Sequence, residues 1–328
     1  MRLEIGRTSP GGAGLMGDNN LRAHKLGWIG TGRMGFRLAE RLLAAGCDLA
    51  IYNRTRSKAE PLIDLGGKLV DSPGDLADRD IVFSIVRGDD DFREVMLGPE
   101  GLLAQEGAAP QVLIDSTTIS AGVSSEVRTA GEKCGTSLLA APVSGNPEVV
   151  KSGKLTLVVS GPEDAYQSAR PYLDIMGAAN TYVGDADAAR LAKICHNLML
   201  GVVSQCLAEI TVLAQKGGLR RSDFLEFLNN SVMGSTFTRY KTPAFVNLDY
   251  TPTFTPVLLR KDFDLGLKAA RELDVPMPLA ATVHELVQSL IGRGFTEEDF
   301  AMLLEQQADA SGIKLESENL VVSDGLED

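Results

Sequence analysis

Between Lys25 and Gly184 short apolar runs alternate with amphipathic stretches, and after Gly184 the short runs stop. This alternation is the strongest constraint on the fold. "KLGWIG", "CDLAIYN", "RDIVFSIV", "QVLIDSTT", "TSLLAAPV", "KLTLVVSG" and "NTYVG" read as strands. "RDIVFSIV" is apolar on both faces, as a strand in the middle of a parallel sheet must be. Between them, "MGFRLAERLLAAG" puts Leu38, Leu42 and Leu43 on one side and Arg37, Glu40 and Arg41 on the other. Further helices are expected at 57–65, near 92–97, at 123–134 and at 162–173. Strand and helix at this spacing build βαβ units, so the fold class is α/β with a doubly wound, mostly parallel sheet.

From Gly184 onward the pattern is all helical. A long helix is expected over 187–217, capped by Asp187 and stopped by Gly217-Gly218. At 1.5 Å per residue it spans about 45 Å. Ser222 is expected to cap the next helix. Thr255 is the cap and Pro256 the first residue of another; two more fit 279–293 and 297–308. The expected organisation is therefore a disordered leader 1–24, a Rossmann-type domain 25–185, an all-α domain 186–310 and an acidic tail 311–328. An upstream start codon, with Met16 as the true start, would account for the leader equally well.

The chain has 328 residues and a net charge of −12, which argues against general nucleic-acid binding. No stretch reads as apolar and long enough to span a membrane, and no signal peptide is evident. The four cysteines form no C-x-x-C pair and the three histidines have no metal-ligand spacing, so no metal is expected and the cysteines read as free thiols of a cytoplasmic protein.

"WIGTGRMG" contains Gly30-x-Gly32-x-x-Gly35 between a strand and a helix, the setting in which this pattern binds a dinucleotide. Gly30 makes the turn, Gly32 admits a pyrophosphate to the backbone, and Gly35 packs helix on strand. Thr31, Arg33 and Met34 complete the loop. An NAD site would place an acid at the end of the second strand to hold the ribose 2′-OH. This chain has Asn53-Arg54-Thr55 there, and Arg54 can pair with a 2′-phosphate. NADP(H) is therefore expected over NAD(H), with Lys58 as a possible helper. Val86 and Arg87, ending the fourth strand, are placed beside the cofactor.

"GDADAARLAKICHNLML" sets Lys193 and Asn197 one turn apart in an apolar helix. Burial disfavours the ammonium and lowers its pKa, which suits a proton donor and acceptor. The bland alternative is a lysine whose stem lies on apolar surface and whose amine reaches water. His196 and Asp262 read as structural.

With the glycine loop, "DSTTIS", "APVSGNPEVVKSG", the Lys193 stretch and "DYTPTFTPVLLRKDFDLGL", the chain resembles the β-hydroxyacid dehydrogenase family from Lys25 to about Ala310. The resemblance implies hydride transfer between NAD(P)H and a short acid carrying a 3-hydroxyl or an aldehyde. It implies Lys193 as the general acid/base and Asn197 as its substrate-binding partner. Thr118, Ser144, Gly145 and Phe254 match substrate positions; Thr118 and Lys261 also match positions beside the cofactor. Two departures stand out: Ala140 replaces an acid, and Asn146 replaces a glycine in the loop that holds the substrate carboxylate. Asn146 is expected to narrow or re-polarise that pocket.

Three other readings compete. Imine reductases share the architecture but resemble this chain less at Lys193 and Ser144. Cofactor-binding adaptors tend to have lost the lysine. Oxidative decarboxylation of a phosphosugar wants a basic cluster that is not evident here. The expected partners are a small carboxylate substrate and a second copy of the chain, as homodimer or homotetramer, with no nucleic acid and no membrane.

Overall fold

The structure, a computed structural model, describes residues 23–326 except residue 106. Most of the expected leader therefore lies outside the described residues. His24 does not: its Nδ1 lies 3.0 Å from the Tyr172 hydroxyl.

Six strands form an all-parallel sheet: β1 (Leu26–Ile29), β2 (Leu49–Tyr52), β3 (Lys68–Leu69), β4 (Ile81–Ser84), β5 (Val112–Asp115) and β6 (Ser137–Ala140). Their order, 3-2-1-4-5-6, is that of a dinucleotide-binding sheet. The β1, β4 and β5 residues are all buried, which is why those runs read as continuously apolar. Helices α1 (Arg33–Ala44), α2 (Asp89–Leu97) and α3 (Ala121–Lys133) provide crossovers. One face packs Trp28, Leu38, Leu42, Phe83 and Ile114, and the other packs Ile29, Val82, Phe92, Leu113 and Val127.

The remaining strands do not extend this sheet. β7 (Val143–Ser144), β8 (Thr156–Val159) and β9 (Ala179–Tyr182) form a second, mixed sheet in which β7 and β8 run antiparallel. An Ala140–Ser160 bridge joins the two sheets. The short helix α4 (Pro147–Lys151) follows β7, and α5 (Glu163–Met176) lies between β8 and β9. The helix expected over 57–65 is two 3₁₀ turns, Arg56–Lys58 and Glu60–Leu62. Pro61 has no N–H to continue the first turn.

The helical half is built on α6 (Ala188–Lys216), 29 residues long. By length and composition this helix could cross a membrane, contrary to the sequence expectation. Here α9 (Pro256–Glu272), α10 (Pro278–Gly292) and α11 (Leu303–Ala310) pack against it. Two glycines permit the close α6–α9 approach. A Cβ on Gly201 would stand 2.3 Å from the Phe263 ring, and one on Gly266 would stand 2.7 Å from Leu198.

Two capping expectations need correction, and one helix was not expected. Asp187 stands at the α6 N-cap, but its carboxylate makes no cap bond and instead takes Ser124 and Arg128. Helix α7 (Arg221–Asn230) begins one residue before Ser222, and the Arg221 and Ser222 N–H groups donate to the Glu318 carboxylate. Helix α8 (Thr236–Asn247) was not expected; Pro243 lies inside it and obscured its pattern. Thr255 does cap α9, with Pro256 first.

The 311–326 stretch lacks regular elements but is not loose. Leu315 is buried in the helical core, and the buried Arg221 guanidinium donates to the carbonyls of Phe245, Val246 and Glu316.

Candidate active site

The turn after β1 is shaped by contacts that only glycine tolerates. Gly30 has φ +97°, and a Cβ there would stand 2.2 Å from the Ile85 carbonyl. A Cβ on Gly35 would stand 2.0 Å from the Gly30 carbonyl. At Gly32 a Cβ would meet nothing within 4 Å, so that backbone faces open space. No side chain caps α1, so its first N–H groups, from Arg33 and Met34 onward, are free for an anion. The buried Thr31 hydroxyl has no hydrogen-bond partner among the described residues. Open backbone, uncapped donors and an orphaned hydroxyl fit a dinucleotide pyrophosphate.

Asn53 braces this loop: its Oδ1 accepts from Thr31 N at 2.8 Å, while its Nδ2 donates to the Thr55 carbonyl at 2.7 Å. Its side chain is thus committed to the protein, whereas Arg54 reaches out to Asp91 at 2.8 Å and is 73% exposed. Val86 N donates to the Thr117 hydroxyl, tying the ends of β4 and β5 together. Arg87 is exposed. A cleft of about 620 Å³ runs from Thr31, Gly32, Arg33 and Lys58 to Asn146 and to Thr251–Thr253. Arg33 crosses it and donates to the Pro252 carbonyl at 2.5 Å.

At the end of β5 the buried Asp115 accepts from the hydroxyls of Ser84 and Thr117, each at 2.7 Å. Its other oxygen takes Arg190 of α6 at 2.9 Å. The Arg190 guanidinium also donates to the Thr117 carbonyl and the Ser124 hydroxyl. This buried ion pair has its hydrogen bonds filled, the condition under which such a pair is tolerated. It fixes the start of α6 over the C-terminal end of β5, one turn before Lys193.

Lys193 lines a narrow crevice with Thr117, Thr118, Ile119, Pro142, Arg190 and Ile194. Burial lowers its pKa to about 8, with Asp262 opposing the shift and Lys261 adding to it. Asn197, 3% exposed, donates from Nδ2 to Asp262 Oδ2. Burial raises the Asp262 pKa, and its Oδ1 has no hydrogen-bond partner. Lys261 Nζ lies 3.7 Å from Asp262 and donates to the Thr118 carbonyl at 3.1 Å. His196 Nδ1 lies 2.8 Å from Asn197 Oδ1, and its Nε2 lies 2.9 Å from Ser144 Oγ.

Gly145 has φ +142°, and a Cβ there would stand 2.7 Å from Val149. Asn146 is 7% exposed and caps α4, its Oδ1 accepting from Val149 N at 2.9 Å. The sequence reading gave Asn146 to the pocket alone; in fact its oxygen is spent on the cap, and only the rest of the side chain remains for the cleft. Phe254 packs edge-on to Phe300 at 6.0 Å. Its loop is pinned by Asp299, which accepts from Thr253 N and from the buried Lys241.

Residues 25–184 match the NAD-binding domain of 6-phosphogluconate dehydrogenase, and residues 187–306 match the NAD-binding domain of NADP-dependent 3-hydroxyisobutyrate dehydrogenase. Human mitochondrial 3-hydroxyisobutyrate dehydrogenase is 30% identical over 288 residues, covering 85% of each chain. The chain belongs to the β-hydroxyacid dehydrogenase family. Chloroplastic glyoxylate/succinic semialdehyde reductase 2 of Arabidopsis thaliana is 29% identical over 281 residues, 85% of this chain and 78% of that one. The solved 3-hydroxyisobutyrate dehydrogenase of Salmonella typhimurium has a TM-score of 0.77 at 25% identity, covering 86% and 99% of the two chains. An imine reductase of Myxococcus stipitatus shares the fold, with a TM-score of 0.56 at 22% identity.

As a β-hydroxyacid dehydrogenase, the chain is an NAD(P)-dependent oxidoreductase acting on CH–OH groups. Its geometry joins Thr118, Ser144, Lys193, Asn197 and Lys261 into one cluster through His196 and Asp262. Gly30, Gly32 and Gly35 form the loop opposite. Phe254 belongs to an aromatic group held by Asp299. The sequence reading missed the Asp115–Arg190 pair, the His196 bridge and the Lys241–Asp299 pair. Each joins residues far apart in the chain, and an isolated charge or histidine carries no local signal of its partner.

Proposed function

We propose that this β-hydroxyacid dehydrogenase is an NADPH-dependent reductase of a short aldehyde acid, with Lys193 as its general acid. The observation that carries this reading is Lys193 itself: a half-buried lysine whose amine is desolvated, with a pKa of about 8, beside Thr118 and the Asn197–Asp262 bond. Such an amine stays protonated at neutral pH yet gives up its proton readily.

When bound, the reduced nicotinamide supplies a hydride. The chain's own residues do the rest. Lys193 donates a hydrogen bond to the carbonyl oxygen and hands over a proton as alkoxide character develops. In the reverse direction the neutral amine accepts the alcohol proton. Asn197, held by Asp262, orients the same oxygen. Thr118 lines the crevice beyond β5, Ser144 and Gly145 hold the substrate carboxylate, Asn146 narrows that end, and Phe254 walls the cleft. Gly30, Thr31, Gly32, Arg33, Met34 and Gly35 cradle the pyrophosphate, with Val86 and Lys261 alongside.

NADP(H) preference is supported by Asn53-Arg54-Thr55. Asn53 braces the glycine loop, and Arg54 is exposed, its partner among the described residues the exchangeable Asp91 carboxylate, so it can turn to a 2′-phosphate. A homodimer or homotetramer is supported by exposed Met199, Leu213, Phe227, Val232, Met233 and Leu279 of the helical half.

The test is a screen of the purified protein with NADPH and NADH against glyoxylate, succinic semialdehyde, tartronate semialdehyde and methylmalonate semialdehyde. NADPH oxidation with at least one is expected. No oxidation with any of them, or turnover only of cyclic imines, would overturn the proposal.

A further inference from the structure

His196 joins two groups on opposite sides of the site, and the geometry assigns its tautomer. Asn197 Nδ2 donates to Asp262, which leaves the Asn197 carbonyl oxygen facing His196 Nδ1 at 2.8 Å. With Asp262 ionised, turning that amide over would set the Asn197 and Asp262 oxygens against each other. A carbonyl only accepts, so the imidazole proton sits on Nδ1. In the neutral ring Nε2 is then a bare lone pair, 2.9 Å from Ser144 Oγ. The Ser144 hydroxyl must donate to the ring, and its own lone pairs face the cleft. A carboxylate needs the opposite arrangement.

Protonation reverses the bond. Imidazolium Nε2–H donates to Ser144 Oγ, and the freed hydroxyl proton can point at an anion. We propose that His196 sets the hydrogen-bonding sense of Ser144, so that capture of a substrate carboxylate there is coupled to uptake of one proton by the imidazole. This inference rests on the aldehyde-acid reading above. His196 is a positioning residue in it, acting through Ser144.

The charged groups around His196 fit this coupling. Partial desolvation of the ring and the charge of Lys193 on the same helix both hold the imidazole below its ordinary pKa, although the residue as a whole is exposed. Lys261 and Asp262 of α9 stand behind Asn197, while β7 brings the uncharged Ser144. The free ring is therefore neutral at neutral pH. A bound carboxylate offsets the Lys193 charge and lets the proton on. Selectivity for aldehyde acids over uncharged aldehydes should then fade as pH rises.

The chain has three histidines, so its imidazole nitrogens can be followed individually by ¹⁵N NMR, with His196→Asn assigning the signal. The probe is 3-hydroxypropanoate added to the full-length protein, with 1,3-propanediol as the carboxylate-free control. The expected result is the Nδ1–H tautomer in the free protein, and a His196 pKa raised by about one unit by the acid but not by the diol, a tenfold tighter hold on the proton. In turnover, His196→Asn should raise KM for an aldehyde acid more than it lowers kcat, and remove one limb of the kcat/KM pH profile. An Nε2–H tautomer, or a His196 pKa unmoved by the acid, overturns the proposal. If the wild type reduces no aldehyde acid, the reductase reading fails, and the NMR result still judges the coupling.

Discussion

Arg190 reaches from the first turn of α6 to Asp115 at the end of β5, at 2.9 Å, with the two side chains 5% and 0% exposed. The pair sets where α6 stands on the sheet, and so where Lys193 sits. Removing Arg190 leaves the buried Asp115 charge unpaired, whereas removing the Asp115 charge leaves Arg190 with Asp187 at 3.3 Å. Arg190→Met should cost about 3–5 kcal/mol of stability, and Asp115→Asn less. Thermal unfolding would check this, and kcat should fall in any folded fraction. A change in melting temperature within experimental error would show that the pair does not anchor the helix.

With Lys193 in the proposed general acid/base role, its pKa of about 8 predicts opposite pH dependences for the two directions. Reduction needs the ammonium, so its kcat should hold below that pH and fall above it. Oxidation needs the free amine, so its rate should rise towards pH 8 and level off beyond. Lys193→Arg keeps the charge but stays protonated at any working pH, and should abolish oxidation. Pre-steady-state hydride transfer rates over pH 6–10 would show this.

Among the described residues Arg54 is held by Asp91 in a salt bridge and is otherwise exposed. Arg54→Ala should weaken NADPH binding by one to two orders of magnitude (about 1–3 kcal/mol for a charged hydrogen bond) and barely change NADH. Asp91→Ala, which frees Arg54, should tighten NADPH at low salt. Fluorescence titration of both cofactors is the measurement, and equal losses for the two would remove Arg54 from the 2′-phosphate.

Gly201 tests whether α6 and α9 must meet closely for the site to form. Gly201→Ala would push a methyl towards the Phe263 ring, 2.3 Å away, and Phe263 adjoins Asp262 in sequence. Overpacking of this kind costs about 1–3 kcal/mol. The Asn197–Asp262 bond should loosen, and kcat should fall further than stability alone accounts for. Unchanged kinetics would mean that the bond does not depend on this contact.

The sheet and the glycine loop were legible because they are local. The β1, β2 and β4 strands are short apolar runs, and Gly30, Gly32 and Gly35 sit at fixed offsets between strand and helix. Lys193 and Asn197 were legible as a pair because both lie on one helix. What escaped was set by distance in the chain or by competition. The β7–β9 runs looked like further parallel strands, and nothing local says that β7 turns back on β8. Asp187 and Ser222 have the chemistry of caps, but Arg128 and Ser124 claimed one and Glu318 displaced the other. His196 read as structural because nothing local shows that its ring meets Ser144, 52 residues earlier in the chain.

The most direct test of the account is Lys193→Ala, with NADPH affinity and turnover measured on the same preparation. Lys193 lies in the crevice at the C-terminal end of β5, away from the glycine loop. The account predicts NADPH binding within about twofold of wild type and a loss of kcat of about 10²–10⁴-fold, the usual range for a general acid. Turnover that survives the substitution would contradict it.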